Sequence, residues 1–141
     1  MSAEDNKELV RRYFAAIDAT TDENMVDEFL SPDFVDHNPS PGCSPDVSGM
    51  KAAYRMFTQG SPGTHSIEDM VAEDDKVVAR ISARGTHSGE LFGIPASGRD
   101  FMSTGIAIFR IENDKIVEHW NELDMLGTLV QLGAVTPPGA S

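Results

Sequence analysis

The sequence predicts an α+β fold in which a curved antiparallel sheet carries helices over its concave face. Two observations predict it. Apolar residues recur with helical spacing before residue 60 and again after residue 124, whereas the period is two between residues 66 and 123. The extended segments also follow one another as hairpins, and helices grouped apart from an antiparallel sheet define the α+β class. A length of 141 residues suits a single domain, read here as residues 1–135 with a tail at 136–141.

Each element has its own signal. Val10, Tyr13, Phe14 and Ile17 follow the i, i+3, i+4, i+7 pattern of a one-sided helix, and Ser2 with Asp5 three residues on supplies a start signal. A short second helix would place Met25, Val26, Phe29 and Leu30 together, with Pro32 just beyond. A short extended piece at 34–38 comes next. The third helix runs from about Ser48 through Met50, Ala53, Tyr54 and Phe57 until Gly60 and Pro62 stop it. Strands at 66–73 and 76–84 are joined by Asp74-Asp75, and strands at 101–111 and 116–123 by the turn Glu112-Asn113-Asp114-Lys115. Asp124 then caps a last helix bearing Met125, Leu126, Leu129, Val130 and Leu132, which ends at Gly133.

Composition excludes several functions. Eleven basic against 23 acidic residues give a net charge of −12, which repels a phosphate backbone and an anionic membrane surface. No nucleic acid and no membrane are expected as partners. A single cysteine, Cys43, forms no disulfide within the chain and rules out a multi-cysteine metal site. The start MSAEDNKELV has neither the basic region nor the apolar stretch of a secretory signal, so a cytoplasmic location is expected.

His37, His65, His87 and His119 include no pair at the spacing that would put two ligands on one metal, and no metal site is expected. Two segments are richer in chemistry. Phe34-Val35-Asp36-His37-Asn38-Pro39 sets three polar side chains before a proline, where they either cap local turns or line a pocket. In residues 116–124, alternation puts Val117, His119, Asn121 and Leu123 on one face, with Ile116, Glu118, Trp120 and Glu122 on the other. A buried histidine or asparagine without a partner costs about 1–3 kcal/mol, so His119 and Asn121 should meet a partner, water or ligand. Asp124 is explained by its cap position alone. The methionines and aromatics fit an ordinary core first and an apolar ligand pocket second.

With FVDHNP, the stretch GTHSGELFGIPASGRDFMSTGIAIFRIENDKIVEHWNELDMLGTLVQLG resembles the SnoaL-like polyketide cyclase family, within the group sharing the cone-shaped fold of ketosteroid isomerase. The resemblance runs from about Glu8 to Gly133. Its most distinctive pieces are Gly85-Thr86-His87, Gly93-Ile94-Pro95, Gly98-Arg99 and Glu118-His119-Trp120 with Asp124 and Gln131-Leu132-Gly133. It implies a cofactor-free enzyme that closes a ring in a small hydrophobic carbonyl compound by intramolecular aldol condensation, acting as a homodimer through the convex sheet face. The family's usual acid/base is an aspartate on the last long strand, with a histidine beside it. Here those positions fall on Asn121 and on or near Ala107, and asparagine has no basic form near neutral pH. The base is therefore sought among His119, His37, Glu122 and Asp124. His37, His119 and Asp124 form the catalytic set, while Asn38, His87, Arg99, Asn121 and Glu122 are expected to contact substrate. A non-catalytic small-molecule binder, or a hydrolase or hydroxylase on the same scaffold, remains the alternative.

Overall fold

The computed structural model describes residues 2–139, which excludes Met1 and the tail's last residues, Ala140 and Ser141. Helix α1 spans Ala3–Ala19, α2 Val47–Gly60 and α3 Met125–Gln131. Strands β1 to β5 are Leu30–Asp36, Gly63–Glu73, Lys76–Thr86, Asp100–Glu112 and Lys115–Leu123. They form one sheet in the order β1-β5-β4-β3-β2. β2 to β5 are antiparallel, as the hairpins require, but β1 joins the edge parallel to β5. The sheet is therefore mixed. No local signal shows this, because the partners Asp36 and His119 lie 83 positions apart in the chain.

Local chemistry explains most of the elements. Ser2 and Asp5 make a reciprocal capping box, each side chain accepting from the other's backbone N–H at 3.1 Å. Asp46 and Asp124 cap α2 and α3 by accepting from Gly49 and Gly127. Asn113 and Asp114 both take positive φ, the combination that a two-residue hairpin of matching twist needs. The segment Glu23–Glu28 is a 3₁₀ turn rather than an α-helix, and Leu30, assigned from spacing to that helix, begins β1 instead. Pro32 is tolerated there because β1 is an edge strand.

The core lies between α1 and the concave face of the sheet. Leu9, Val10, Tyr13 and Phe14 of α1 pack with Val77, Ala79, Ile81, Ala107, Phe109, Ile111 and Ile116. Ile116 reaches this face against simple alternation. Arg110 pairs with Glu118 and Ile111 with Ile116, so Val117 is the extra residue of a β-bulge. The bulge turns Ile116 inward, while His119, Asn121 and Leu123 keep their places on the concave side. The exposed apolar side chains Val35, Val71, Met102 and Ile106 all fall on the opposite, convex face by the same alternation.

A candidate active site on the concave face

β1 and β5 build the site. Leu30, Phe34 and Asp36 are the buried residues of β1, so period two carries Asp36 inward with Phe34 and sends Val35 outward. Asp36 and His119 are register partners on adjacent strands. His119 Nδ1 lies 3.3 Å from Asp36 Oδ1, and the two side chains are only 12% and 8% exposed. The contact is within reach but off the line of a hydrogen bond, and Nδ1 has no other partner. Asp36 Oδ1 also accepts from the Asn38 N–H at 3.0 Å. The imidazole stacks on Phe109 at 5.0 Å and 24° and on Phe34 at 6.5 Å and 27°.

Asn121 pairs across the sheet with Ala107, so these two residues occupy neighbouring places on the concave face. Its Oδ1 is buried with no partner, while its backbone N–H donates to Asn38 Oδ1 at 2.9 Å. Asn38 thus fastens the end of β1 to β5. Tyr13, from α1, has its phenol pushed above the usual tyrosine range, first by burial and then by the negative charge of Asp36. At neutral pH it is a donor.

The other residues singled out from sequence do not join this group. His37 follows Asp36 and turns to the convex side. There it stacks flat on Trp120 at 4.6 Å and donates to Glu118 Oε2 at 2.7 Å. Glu118 also accepts from Arg110, which reaches Glu112 at 3.0 Å. Glu122 is exposed on the same convex face. Asp124 spends its carboxylate on the first turn of α3 and its N–H on the Thr104 carbonyl. His87 is fully buried and holds the 87–99 loop together: Nε2–H donates to the Ile94 carbonyl and Nδ1 accepts from the Ser97 N–H, both at 3.2 Å. Arg99 reaches the Gln131 carbonyl at 3.4 Å, at the C-terminal end of α3, where a cation complements the helix dipole.

Glu118 carries a pH prediction. The hydrogen bond from His37, followed by that from Arg110, holds its carboxyl below the ordinary 4.5. A lowered folded-state pKa gives stability that is present above the unfolded value and is lost as pH falls below it. Glu118→Gln should therefore be less stable than the parent at about pH 7, with the gap closing below pH 4.5. Denaturant unfolding at the two pH values checks this, and an equal gap at both would contradict it.

Two open clefts lie elsewhere. One of about 540 Å³ is lined by residues including Arg84, Asp100, Phe101 and Gln131, and one of about 370 Å³ by Arg55, Met56, Glu90 and Phe92 among others. Neither cleft is lined by His119, Asp36 or Asn121.

Comparison with known proteins places the chain and its fold in a family. The family model described as SnoaL-like polyketide cyclase matches residues 7–132. The chain belongs to the SnoaL-like polyketide cyclase family. Among these cyclases, the aklanonic acid methyl ester cyclase DnrD of Streptomyces peucetius is 31% identical over 140 residues, covering 92% of each chain. The nogalonic acid methyl ester cyclase of Streptomyces nogalater is 31% identical over 118 residues, covering 79% of this chain and 86% of that one. The structure of TsrD from Streptomyces laurentii superposes with a TM-score of 0.84 at 34% identity, covering 96% of this chain and 99% of TsrD. In this SnoaL-like chain, Asp36 and Tyr13 were absent from the catalytic set read from sequence. Alternation counted from Phe34 is the signal that places Asp36 inside.

Proposed function

We propose that the protein closes a ring in a small hydrophobic polyketide ester by cofactor-free intramolecular aldol condensation, with His119 as general base. One observation supports the reading above the others. The imidazole of His119 stands on the concave face beside Asn121, with its Nδ1 toward Asp36 and its Nε2 without a protein partner among the described residues. Relatives named as methyl ester cyclases of aklanonic and nogalonic acids support the substrate class.

The chemistry follows from these groups. Nε2 takes the proton from a carbon between two carbonyls, and the electron pair left behind delocalises as an enolate. That carbon attacks a second carbonyl of the same molecule, forming the ring C–C bond. The resulting alkoxide recovers the proton from the imidazolium. A neutral imidazole suits both steps because its unperturbed pKa is about 6.5. The Asn121 amide, on the same face as His119, donates its N–H to the developing oxyanion in this reading. The buried phenol of Tyr13 adds a second neutral donor on the same side of the sheet.

Incubation with aklanonic acid methyl ester, followed by chromatography and NMR, tests the reading. A ring-closed isomer of unchanged mass is expected. Ligand-induced shifts with no product would overturn it in favour of a binding protein.

A further inference from the structure

We propose that Asp36 is a positioning residue that fixes His119 in the tautomer with its proton on Nδ1, turning the basic lone pair of Nε2 toward the substrate. The inference rests on the reading of His119 as base. It deepens that reading by giving the Asp36 carboxylate, on the neighbouring strand, a role of its own.

The argument begins with what a buried carboxylate can do. Asp36 accepts hydrogen bonds and, when ionised, donates none. Its Oδ1 faces two groups, the backbone N–H of Asn38 at 3.0 Å and Nδ1 of His119 at 3.3 Å. A lone pair on Nδ1 would oppose the carboxylate oxygen across that gap, whereas a proton on Nδ1 satisfies both atoms. The arrangement therefore favours the Nδ1–H form, and a small rotation of the ring converts the off-line contact into a hydrogen bond. Phe34 and Phe109 limit that rotation by stacking on the imidazole.

Position is enforced by the backbone as well. Asp36 and His119 are opposed in the parallel β1–β5 register, and the next residue, His37, donates its N–H to the His119 carbonyl at 2.9 Å. The strand pairing therefore keeps the two residues opposite one another. When His119 takes a proton from substrate, both ring nitrogens carry hydrogen, and Asp36 then faces an imidazolium. Opposite charge at this distance in a low-dielectric site stabilises the cation that forms in the transition state. Asp36 is thus expected to act on the rate more than on substrate binding. Tyr13 of α1 also feels the Asp36 charge, and it stays neutral and cannot substitute for it.

The test uses ¹⁵N-histidine-labelled protein, with the tautomer of His119 read by long-range ¹H–¹⁵N correlation in a pH series, at the end where the two ring nitrogens report a neutral imidazole. The parent protein should show the proton on Nδ1, and Asp36→Asn should lose that preference, because its amide can donate to Nδ1 as well as accept. Melting curves confirm that the variant is folded. A parent spectrum with the proton on Nε2 would overturn the proposal without any variant, as would identical spectra for the parent and a folded Asp36→Asn. In the cyclisation assay, Asp36→Asn should lower kcat about 10–100-fold with KM little changed. A failure of every polyketide ester to turn over would remove the functional reading and leave the tautomer result standing, so the two are distinguished.

Discussion

Replacing His119 by Gln is expected to slow ring closure by about 10²–10⁴-fold, the usual contribution of a positioned general base. Glutamine keeps much of the volume of imidazole and can still hydrogen-bond, but it cannot take up a proton near neutral pH. The melting temperature must be read alongside, because the ring is only 12% exposed and stacks on Phe34 and Phe109. A loss of rate at an unchanged melting temperature assigns the effect to chemistry. Asn121 and Ala107, at the neighbouring concave positions, offer no base of their own, and adding Asp36→Asn to the variant controls for the carboxylate beside the ring. Steady-state kinetics on a polyketide methyl ester checks the prediction. A variant retaining more than half of the parental rate would contradict it.

The largest effect on stability is expected from Phe109→Ala, at about 3–5 kcal/mol. Phe109 is 2% exposed and meets Tyr13 at 6.2 Å and Phe14 at 5.9 Å, both edge-on, as well as His119. It is thus the point where α1, the centre of the sheet and the candidate base come together. Truncation removes the buried ring and leaves a cavity that the β4 backbone, paired on both sides, cannot collapse to fill. Because one face of the His119 ring would lose its stacking partner, the rate should fall along with stability. Guanidinium unfolding provides the measurement, and a cost below about 1 kcal/mol would show that this contact is not central to the core.

Features set by neighbours in the chain could be read from the sequence. The Ser2–Asp5 capping box, the Asp124 cap, both hairpins and the alternation that sends His119 and Asn121 to one face all depend on residues a few positions apart. Features set by distant partners could not. The parallel pairing of β1 with β5 gives Asp36 its meaning, and nothing in FVDHNP shows which strand lies beside it. His37 illustrates the same limit, since it turns outward to Trp120 and Glu118, the latter 81 positions away. Ile116 was misplaced because one extra residue in a strand reverses the alternation on its far side. His87 and Arg99 carry the polar groups expected of a binding site but serve the fold, one inside its loop and the other at the end of α3.

The central claim is that the proton leaves substrate carbon for the imidazole on β5, although Asn121 stands where the family's aspartate is expected. Exchange of that carbon-bound proton in D₂O, followed by NMR before the ring closes, observes this step alone. The parent protein should exchange it rapidly, and His119→Gln should exchange no faster than substrate in buffer. Exchange at the parental rate in a folded His119→Gln would contradict the assignment of His119 as the base.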